Sequence, residues 1–311
     1  MTPRALIIGG SGLIGRRLLH KLGPAVATAT YHTRPFPGGV RFDATTMRIL
    51  DLLKRAEGPY THAYVLQGIA NIDACARDPA GTARTNVEAL CAVIDQLTAE
   101  GIMPVFASSD AVFDGMRGMS TEEDKVNPIL TYGAQKAAVE RHLGGMETPW
   151  LAARIAKVVT SDPVEPGIIG DWMEKLESGA AIHCARDQVF SPVDVDDVVD
   201  VLVSLALTGC TGIFHVCGAG SITRLEFLRM LVEEVSNYRN VAPRIIELSL
   251  RDLRLAEPRP LDTSMSGDKL TRVLGRSLKD MRTVCRDAAR RRYGSVHETH
   301  RAATPIHGER T

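Results

Sequence analysis

The sequence carries no excess of charge, few aromatic side chains and no long apolar run. Its 311 residues contain 37 Lys and Arg against 37 Asp and Glu, so the formal net charge is zero, and aromatic residues make up only 5%. A chain without an electropositive field is poorly suited to generic nucleic-acid binding. No stretch approaches the about 20 apolar residues that a membrane-spanning helix needs, and the apolar run at 5–8 is too short for the core of a signal peptide. We therefore expect a cytoplasmic protein that binds neither nucleic acid nor membrane.

Spacings typical of metal ligands are also missing. The six cysteines include no C-x-x-C pair, and scattered cysteines in a reducing compartment are more often free thiols than disulfides or zinc ligands. One acidic cluster precedes an apolar helical pattern, where carboxylates cap a helix and pair with its dipole. It consists of Asp194, Asp196, Asp197 and Asp200. We predict no metal site.

What the sequence does contain is an alternation of strand-like and helix-like segments. Hydrophobic residues (44%) and charged residues (24%) are at ordinary globular levels. Over the first 110 residues short β-rich runs alternate with helical patterns, which is typical of βαβ units and a parallel sheet. We predict an α/β fold, a Rossmann-type doubly wound parallel sheet with a smaller C-terminal substrate-binding lobe. The predicted division is 1–160 for the dinucleotide-binding domain with 188–217 returning to it, 161–187 and 218–285 for the lobe, and 286–311 for a basic helix end and a flexible tail.

A glycine-rich loop follows the first predicted strand and opens the first predicted helix. It reads Gly9-Gly10-Ser11-Gly12-Leu13-Ile14-Gly15. Gly9 and Gly12 permit a tight turn close to a pyrophosphate, and Gly15 permits close packing of helix on strand. The helix N-terminus then offers free N–H groups to the phosphates. We assign Gly9, Ser11, Gly12, Leu13, Ile14 and Gly15 to a dinucleotide site.

The segment after the second predicted strand bears on which dinucleotide is bound. NAD-binding proteins usually place a carboxylate there, whereas this chain reads Tyr31-His32-Thr33-Arg34. Because Arg34 can face a 2′-phosphate, NADP(H) is predicted as the preferred cofactor and NAD(H) as the alternative. Asp43 is positioned to accept from an adenine amino group, although a plain turn aspartate explains it equally well. We also assign Gly68 and the later Tyr132 and Lys136 to the cofactor site.

Tyr132 and Lys136 stand four residues apart on one predicted helix face. A phenol near its usual pKa of about 10 is a poor acid–base group at neutral pH. An ammonium group one turn away stabilises the phenolate, and such a phenol can protonate a carbonyl oxygen as hydride arrives from a nicotinamide. Ser109 follows the fifth predicted strand, at the sheet edge where doubly wound folds bind ligands, and its hydroxyl can hold the same carbonyl. We predict that these three residues are catalytic.

These residues resemble those of the extended short-chain dehydrogenase/reductase family, in particular its dTDP-4-dehydrorhamnose reductases and their sugar-nucleotide relatives. The likeness extends to about Gly275 and is most specific at Ser109-Asp110-Ala111-Val112-Phe113-Asp114-Gly115. It implies a Rossmann domain, a smaller substrate lobe, NADPH or NADH as hydride donor and a nucleotide-linked keto-sugar as substrate. The resemblance also implies that Ser109, Tyr132 and Lys136 occupy the catalytic positions.

Two departures from the family concern the sugar side of the site. The reductases typically carry Tyr where Ala111 stands, and a Ser-Trp pair in an R-T-S-W run where this chain reads Arg154-Ile155-Ala156-Lys157. Loss of both aromatic residues predicts a different substrate, and Lys157 suits an anionic group better than an apolar sugar face. The predicted substrate residues are Ser109, Asp110, Ala111, Lys157 and Arg259.

Three functions are compatible with these residues. The first is an NADP(H)-preferring reductase of a nucleotide-linked 4-keto-deoxysugar. The second is a sugar-nucleotide epimerase or dehydratase that retains its cofactor. The third is a non-catalytic nucleotide-binding regulatory subunit, like the methionine adenosyltransferase β subunit that shares this fold, and the intact Ser109, Tyr132 and Lys136 weigh against it. The sequence leaves the oligomeric state open, a homodimer included.

Overall fold

A seven-stranded sheet forms the centre of the molecule. The computed structural model describes residues 4–53 and 59–302, the last eight of them as backbone only. The sheet strands are β1 (Arg4–Ile8), β2 (Ala27–Tyr31), β3 (Val40–Arg41), β4 (Tyr60–Val65), β5 (Met103–Ser109), β6 (Leu151–Ile155) and, later in the chain, β11 (Gly212–Val216). Their order is β3-β2-β1-β4-β5-β6-β11 and all neighbours are parallel. The predicted Rossmann-type doubly wound sheet is therefore confirmed.

Helices cover both faces of this sheet because its strands are apolar on both sides. Ile7 of β1 packs into one hydrophobic cluster with α1 and α8, whereas Leu6 and Ile8 pack into a second cluster with α2 and α5. The helices in chain order are α1 (Leu13–Leu22), α2 (Ile49–Leu53), α3 (Ile72–Arg77), α4 (Pro79–Ala83), α5 (Ala89–Ala99), α6 (Thr131–Gly144), α7 (Ile168–Ser178), α8 (Val195–Leu207), α9 (Arg224–Ser236), α10 (Asp268–Leu274) and α11 (Met281–Ala302).

A third hydrophobic cluster lies outside the sheet and is built from α7, α9 and α11 around Trp172 and Phe227. The short strands β8 (Ile182–Ala185) and β13 (Ile245–Leu248) pair in parallel beside it. The remaining two-residue strands are β7 (Val158–Val159), β9 (Val189–Phe190), β10 (Val193–Asp194) and β12 (Ile222–Thr223). This separate core supports the proposed division into a nucleotide domain and a smaller lobe.

The C-terminal segment is helical well into the region for which a basic helix end and a flexible tail were predicted. Of residues 286–311, those up to Ala302 belong to α11, and the rest lie outside the described residues. Arg292 and Tyr293 anchor this helix, because both donate hydrogen bonds to the Glu177 carboxylate of α7 at 2.6–2.8 Å. Within the described part of the chain, no helix is long and apolar enough to cross a membrane.

Candidate active site

The glycine loop is shaped by close backbone contacts. Gly9 has φ +100°, and a Cβ there would lie 2.9 Å from the backbone nitrogen of Gln67. A Cβ on Gly15 would collide with the carbonyl oxygen of Gly9. Gly12 is the N-cap of α1 and supplies no side-chain cap, and the first turn of α1 has no acidic residue. The loop and helix end therefore fit a pyrophosphate, because the glycines allow the tight turn and the helix N–H groups are not capped by a side chain.

Arg34 and Asp43 lie in segments next to this loop. Arg34 is exposed in the turn after β2. The Asp43 carboxylate accepts hydrogen bonds from the backbone N–H of Thr45 at 3.0 Å and from its hydroxyl at 2.6 Å, and these bonds lower the pKa of Asp43. Asp43 thus has the bonding of a turn aspartate, and a contact with adenine stays a prediction. The guanidinium group of the neighbouring Arg17 forms an ion pair with the Glu165 carboxylate at 3.1 Å.

The predicted catalytic residues meet at the carboxyl end of β5. Ser109 is the last residue of β5, and Tyr132 and Lys136 lie one turn apart on α6. The Lys136 ammonium nitrogen is 5.7 Å from the centroid of the Tyr132 ring and donates a hydrogen bond to the carbonyl oxygen of Ala107 at 2.7 Å. The Ser109 hydroxyl interacts with the phenol and donates to the Asp110 carboxylate at 2.9 Å.

Burial, rather than the neighbouring ammonium group, dominates the acidity of Tyr132. Desolvation raises the pKa of Tyr132 well above its usual value, the Asp110 carboxylate raises it further, and only the Ser109 contact lowers it. Desolvation also lowers the pKa of Lys136 to about 8, opposed by Glu140. The phenol is therefore held neutral, which is the form that donates a proton, and the expected stabilisation of a phenolate by Lys136 is not the main effect here.

Two residues distant in sequence set the position of α6. Its N-terminal N–H groups have no local side-chain cap, and the Glu257 carboxylate instead accepts from the Thr131 N–H at 3.1 Å and from the Thr131 hydroxyl at 2.5 Å. Gly133 lies against the carbonyl of Ala111, where any Cβ would collide. The catalytic helix is thus fixed from the lobe on one side and from the turn after β5 on the other.

The side-chain amides of Asn86 and Gln135 form a buried hydrogen-bond network beside the site. A π-helical segment, Arg84–Glu88, follows α4 and precedes α5. Its Asn86 donates to the side-chain oxygen of Gln135 at 2.7 Å and accepts from the backbone N–H of Ile69 at 2.7 Å. Gly68 packs against this amide, since a Cβ there would lie 3.2 Å from the Asn86 oxygen and 4.0 Å from the Lys136 nitrogen. π-Helical segments often occur at functional sites.

A buried ion pair lies one turn beyond Lys136. The Glu140 carboxylate accepts from the Arg154 guanidinium at 2.8 Å, and the two side chains are only 6% and 3% exposed. The Ser108 hydroxyl also donates to Glu140, at 2.5 Å. Arg154 further contacts His215, whose pKa desolvation lowers to about 4. This pair joins α6 to β6 directly beneath the site.

A cavity of about 650 Å³ opens beyond the carboxyl ends of the central strands. Nine of the predicted site residues line it: Ile14, Gly68, Ser109, Asp110, Ala111, Tyr132, Lys136, Lys157 and Arg259. Others do not line it: Gly9, Ser11, Gly12, Leu13, Gly15, Arg34 and Asp43. Five polar or charged lining residues were not among the predicted site residues: Ser108, His183, Gln188, Arg224 and Thr263. His183, Arg224 and Thr263 lie in the predicted lobe, where no motif indicated which side chains would face the sheet.

A family model accounts for almost the whole chain. The family described as RmlD substrate binding domain matches residues 3–293. The chain is 20% identical over 219 residues to a dTDP-4-dehydrorhamnose reductase of Sinorhizobium fredii, covering 66% of this chain and 71% of that one. It is 27% identical over 246 residues to the "Probable low-salt glycan biosynthesis reductase Agl14" of Haloferax volcanii, covering 74% and 80%. It is also 25% identical over 244 residues to the rat methionine adenosyltransferase 2 subunit beta, covering 72% and 70%.

Solved structures share the fold over nearly their full length. A hypothetical dTDP-4-dehydrorhamnose reductase from Sulfolobus tokodaii superimposes with a TM-score of 0.78 at 24% identity, covering 89% of this chain and 98% of that one. A dTDP-4-dehydrorhamnose reductase of Bacillus anthracis in complex with NADP gives 0.77 at 20% identity, covering 92% and 98%. MoeE5 in complex with UDP-glucuronic acid and NAD gives 0.73 at 20% identity, covering 93% and 99%.

Proposed function

The chain belongs to the RmlD substrate binding domain family, and we propose that it is an NADP(H)-preferring reductase of a nucleotide-linked 4-keto-deoxysugar. One observation carries the proposal: Ser109, Tyr132 and Lys136 line a single cavity next to Ile14 of the glycine loop. A hydrogen-bonding hydroxyl, a neutral phenol and an ammonium group are the groups that carbonyl reduction requires beside a dinucleotide. Relatives named as reductases and a neighbour holding NADP support the same class of reaction.

Each residue has a separate task in this mechanism. NADPH, when bound, supplies the hydride to the carbonyl carbon. The Ser109 hydroxyl orients the carbonyl oxygen, and the neutral Tyr132 phenol donates the proton to it. Lys136 holds the ribose next to the nicotinamide and supplies positive charge as the Tyr132 oxygen gives up its proton. The hydrogen bonds that Lys136 donates to the Ala107 carbonyl and that Thr131 donates to the Glu257 carboxylate keep these groups in place before the substrate arrives.

A turnover assay distinguishes the three functions. The protein is mixed with NADPH and a panel of nucleotide-linked 4-keto-deoxysugars, dTDP-4-dehydrorhamnose included. A reductase oxidises one NADPH for each sugar reduced. An epimerase or dehydratase converts the sugar without net change in cofactor, and a regulatory subunit binds cofactor without turnover. The relatives named as methionine adenosyltransferase subunits make the last outcome the main competing one.

Changing Arg34 to alanine is expected to weaken NADPH binding and leave NADH binding unchanged. A charge-assisted phosphate contact contributes about 1.5–3 kcal/mol, which corresponds to roughly 10- to 150-fold in affinity. Cofactor fluorescence titrations with both nucleotides measure it. The matched control is Arg48→Ala. Arg48 is another exposed arginine, directly before α2, and it is not among the predicted site residues. Equal weakening of both cofactors, or of neither, would mean that Arg34 does not set the preference.

NADPH affinity is expected to fall as the pH rises through about 8, because the pKa of Lys136 is lowered to about 8 and its ammonium group loses its proton there. Titrations without substrate between pH 6.5 and 9.5 measure the effect. Lys136→Met should bind weakly with no such step, whereas Tyr132→Phe should keep the step, since the raised pKa of Tyr132 places its titration at higher pH. A pH-independent affinity in the unmodified protein would argue against a ribose contact by Lys136.

A further inference from the structure

Positive charge outweighs negative charge on the wall of the active-site cavity. Besides the Tyr132 phenol, the ionisable side chains that line it are Asp110, Lys136, Lys157, His183, Arg224 and Arg259. Lys136 is hydrogen-bonded to Ala107, and Arg259 is paired with Asp73. Among the side chains of residues 4–53 and 59–294, none forms an ion pair with Lys157 or Arg224. Two cations therefore face the cavity without a partner carboxylate in contact.

Lys157 lies on the side of the cavity where the reaction occurs. It follows β6, and its carbonyl oxygen accepts a hydrogen bond from the N–H of Val193 at 3.0 Å, so its backbone is anchored. Its ammonium group interacts electrostatically with Asp110, and Asp110 in turn interacts with Ser109 and Tyr132. Through Asp110, Lys157 is therefore a neighbour of Ser109 and Tyr132, the two residues proposed to contact the reacting carbonyl.

Arg224 approaches the same space from the lobe. It is the first residue of α9, and Gln188 accepts hydrogen bonds both from its backbone N–H at 2.8 Å and from its guanidinium at 3.3 Å. The guanidinium carbon also lies 5.7 Å from the centroid of the Trp172 ring. The side chain is therefore held in one place by uncharged groups, and its charge is left for another partner.

Lys157 and Arg224 are close enough for their positive charges to interact. Desolvation and the Arg224 charge lower the pKa of Lys157, whereas Asp110 and Asp171 raise it, and desolvation lowers the pKa of Arg224. Lys157 is exposed at the cavity and Arg224 is half-buried, and an anion bound beside both would offset the repulsion between them. An uncharged sugar face would leave that repulsion unrelieved.

We propose that Lys157 and Arg224 form a subsite for a carboxylate carried by the sugar ring of the substrate. The proposal rests on the proposed reduction of a nucleotide-linked keto-sugar, and it narrows the substrate class to keto-sugars that carry a carboxylate. The sugar is preferred to the diphosphate as the source of the anion because Lys157 neighbours Asp110, beside the reacting carbonyl.

The test compares pairs of ligands that differ only in the carboxylate. UDP-glucuronic acid is titrated against UDP-glucose, and dTDP-glucuronic acid against dTDP-glucose, by calorimetry on the full chain with NADP⁺ present. We expect the acidic member to bind at least about tenfold more tightly in one nucleotide series, as a charge-assisted contact implies. Lys157→Gln and Arg224→Gln should each remove most of that preference, because they weaken binding of the acidic sugar more than binding of the neutral one.

Arg229→Gln is the matched control. Arg229 lies on the same helix as Arg224 but pairs with Glu247 at the surface, where both side chains are exposed. Its substitution should leave all four affinities unchanged, and circular dichroism confirms that each variant is folded. Arg224→Lys, which keeps the charge, should retain part of the preference.

Three results would overturn the subsite. They are equal affinity for the acidic and neutral sugars in both series, absence of binding by the acidic sugars, and parallel weakening of both sugars and of free UDP and dTDP in the variants. The last would assign the two cations to the diphosphate. The titration requires no turnover, so it is independent of the NADPH assay: a reductase of neutral keto-sugars with no acid preference would refute the subsite alone.

Discussion

Tyr132→Phe is expected to lower kcat by about 10²- to 10⁴-fold, which is the usual contribution of a positioned general acid. The ring stays in place and only the proton donor is removed, so the affinity for NADPH should change little. The raised pKa of Tyr132 makes this loss independent of pH over the neutral range, because the phenol is fully protonated there. NADPH oxidation with the best keto-sugar of the panel measures kcat, and a fluorescence titration measures cofactor affinity.

Tyr60→Phe is the control for that substitution. Tyr60 is the first residue of β4, so it lies at the amino end of the strand, whereas the cavity lies at the carboxyl ends. Its hydroxyl donates to Thr28 at 2.8 Å, so Tyr60→Phe removes the same phenolic oxygen far from the cavity. It should cost stability without changing kcat. If Tyr132→Phe kept activity within a few-fold of the unmodified protein, Tyr132 would not be the proton donor.

Glu140→Gln is expected to reduce the free energy of unfolding by about 3–5 kcal/mol, because it leaves the Arg154 guanidinium charged, buried and unpaired. Urea denaturation at pH 7 measures the loss. Breaking the exposed Arg229–Glu247 pair with Arg229→Gln should cost at most about 1 kcal/mol. The double variant Glu140→Leu with Arg154→Met should recover much of the stability, since replacing both charges with apolar groups removes the desolvation penalty.

The same substitution should also be visible at the active site. Glu140 raises the pKa of Lys136 against the effect of desolvation. Its neutralisation should therefore move the fall in NADPH affinity to a pH below about 8 in folded Glu140→Gln protein. A stability loss below about 1 kcal/mol together with an unchanged pH step would contradict the role of this pair.

Local patterns were enough to predict the sheet, the glycine loop and the grouping of Ser109, Tyr132 and Lys136 at one cavity. The apolar run of β1 followed directly by Gly9–Gly15 identifies a strand, a turn and a helix within a dozen residues. Tyr132 and Lys136 are one helical turn apart, so their proximity follows from the helix itself. Ser109 ends a strand, and parallel strands bring their carboxyl ends to one edge. Each of these predictions concerns residues within one short segment, and the geometry of a strand, turn or helix alone fixes their relative positions.

Only the tertiary structure decided which charges are paired and which are left facing the cavity. Glu257 caps a helix that begins 126 residues earlier, Glu140 neutralises Arg154 across two elements, and Arg224 meets Lys157 from the lobe. The sequence predicted Lys157 as a substrate residue but contained no signal for Arg224. An unpaired arginine cannot be distinguished from a paired one until every neighbouring side chain is positioned. Electrostatic pairing depends on distances set by packing between elements, and no periodicity along the chain encodes those distances.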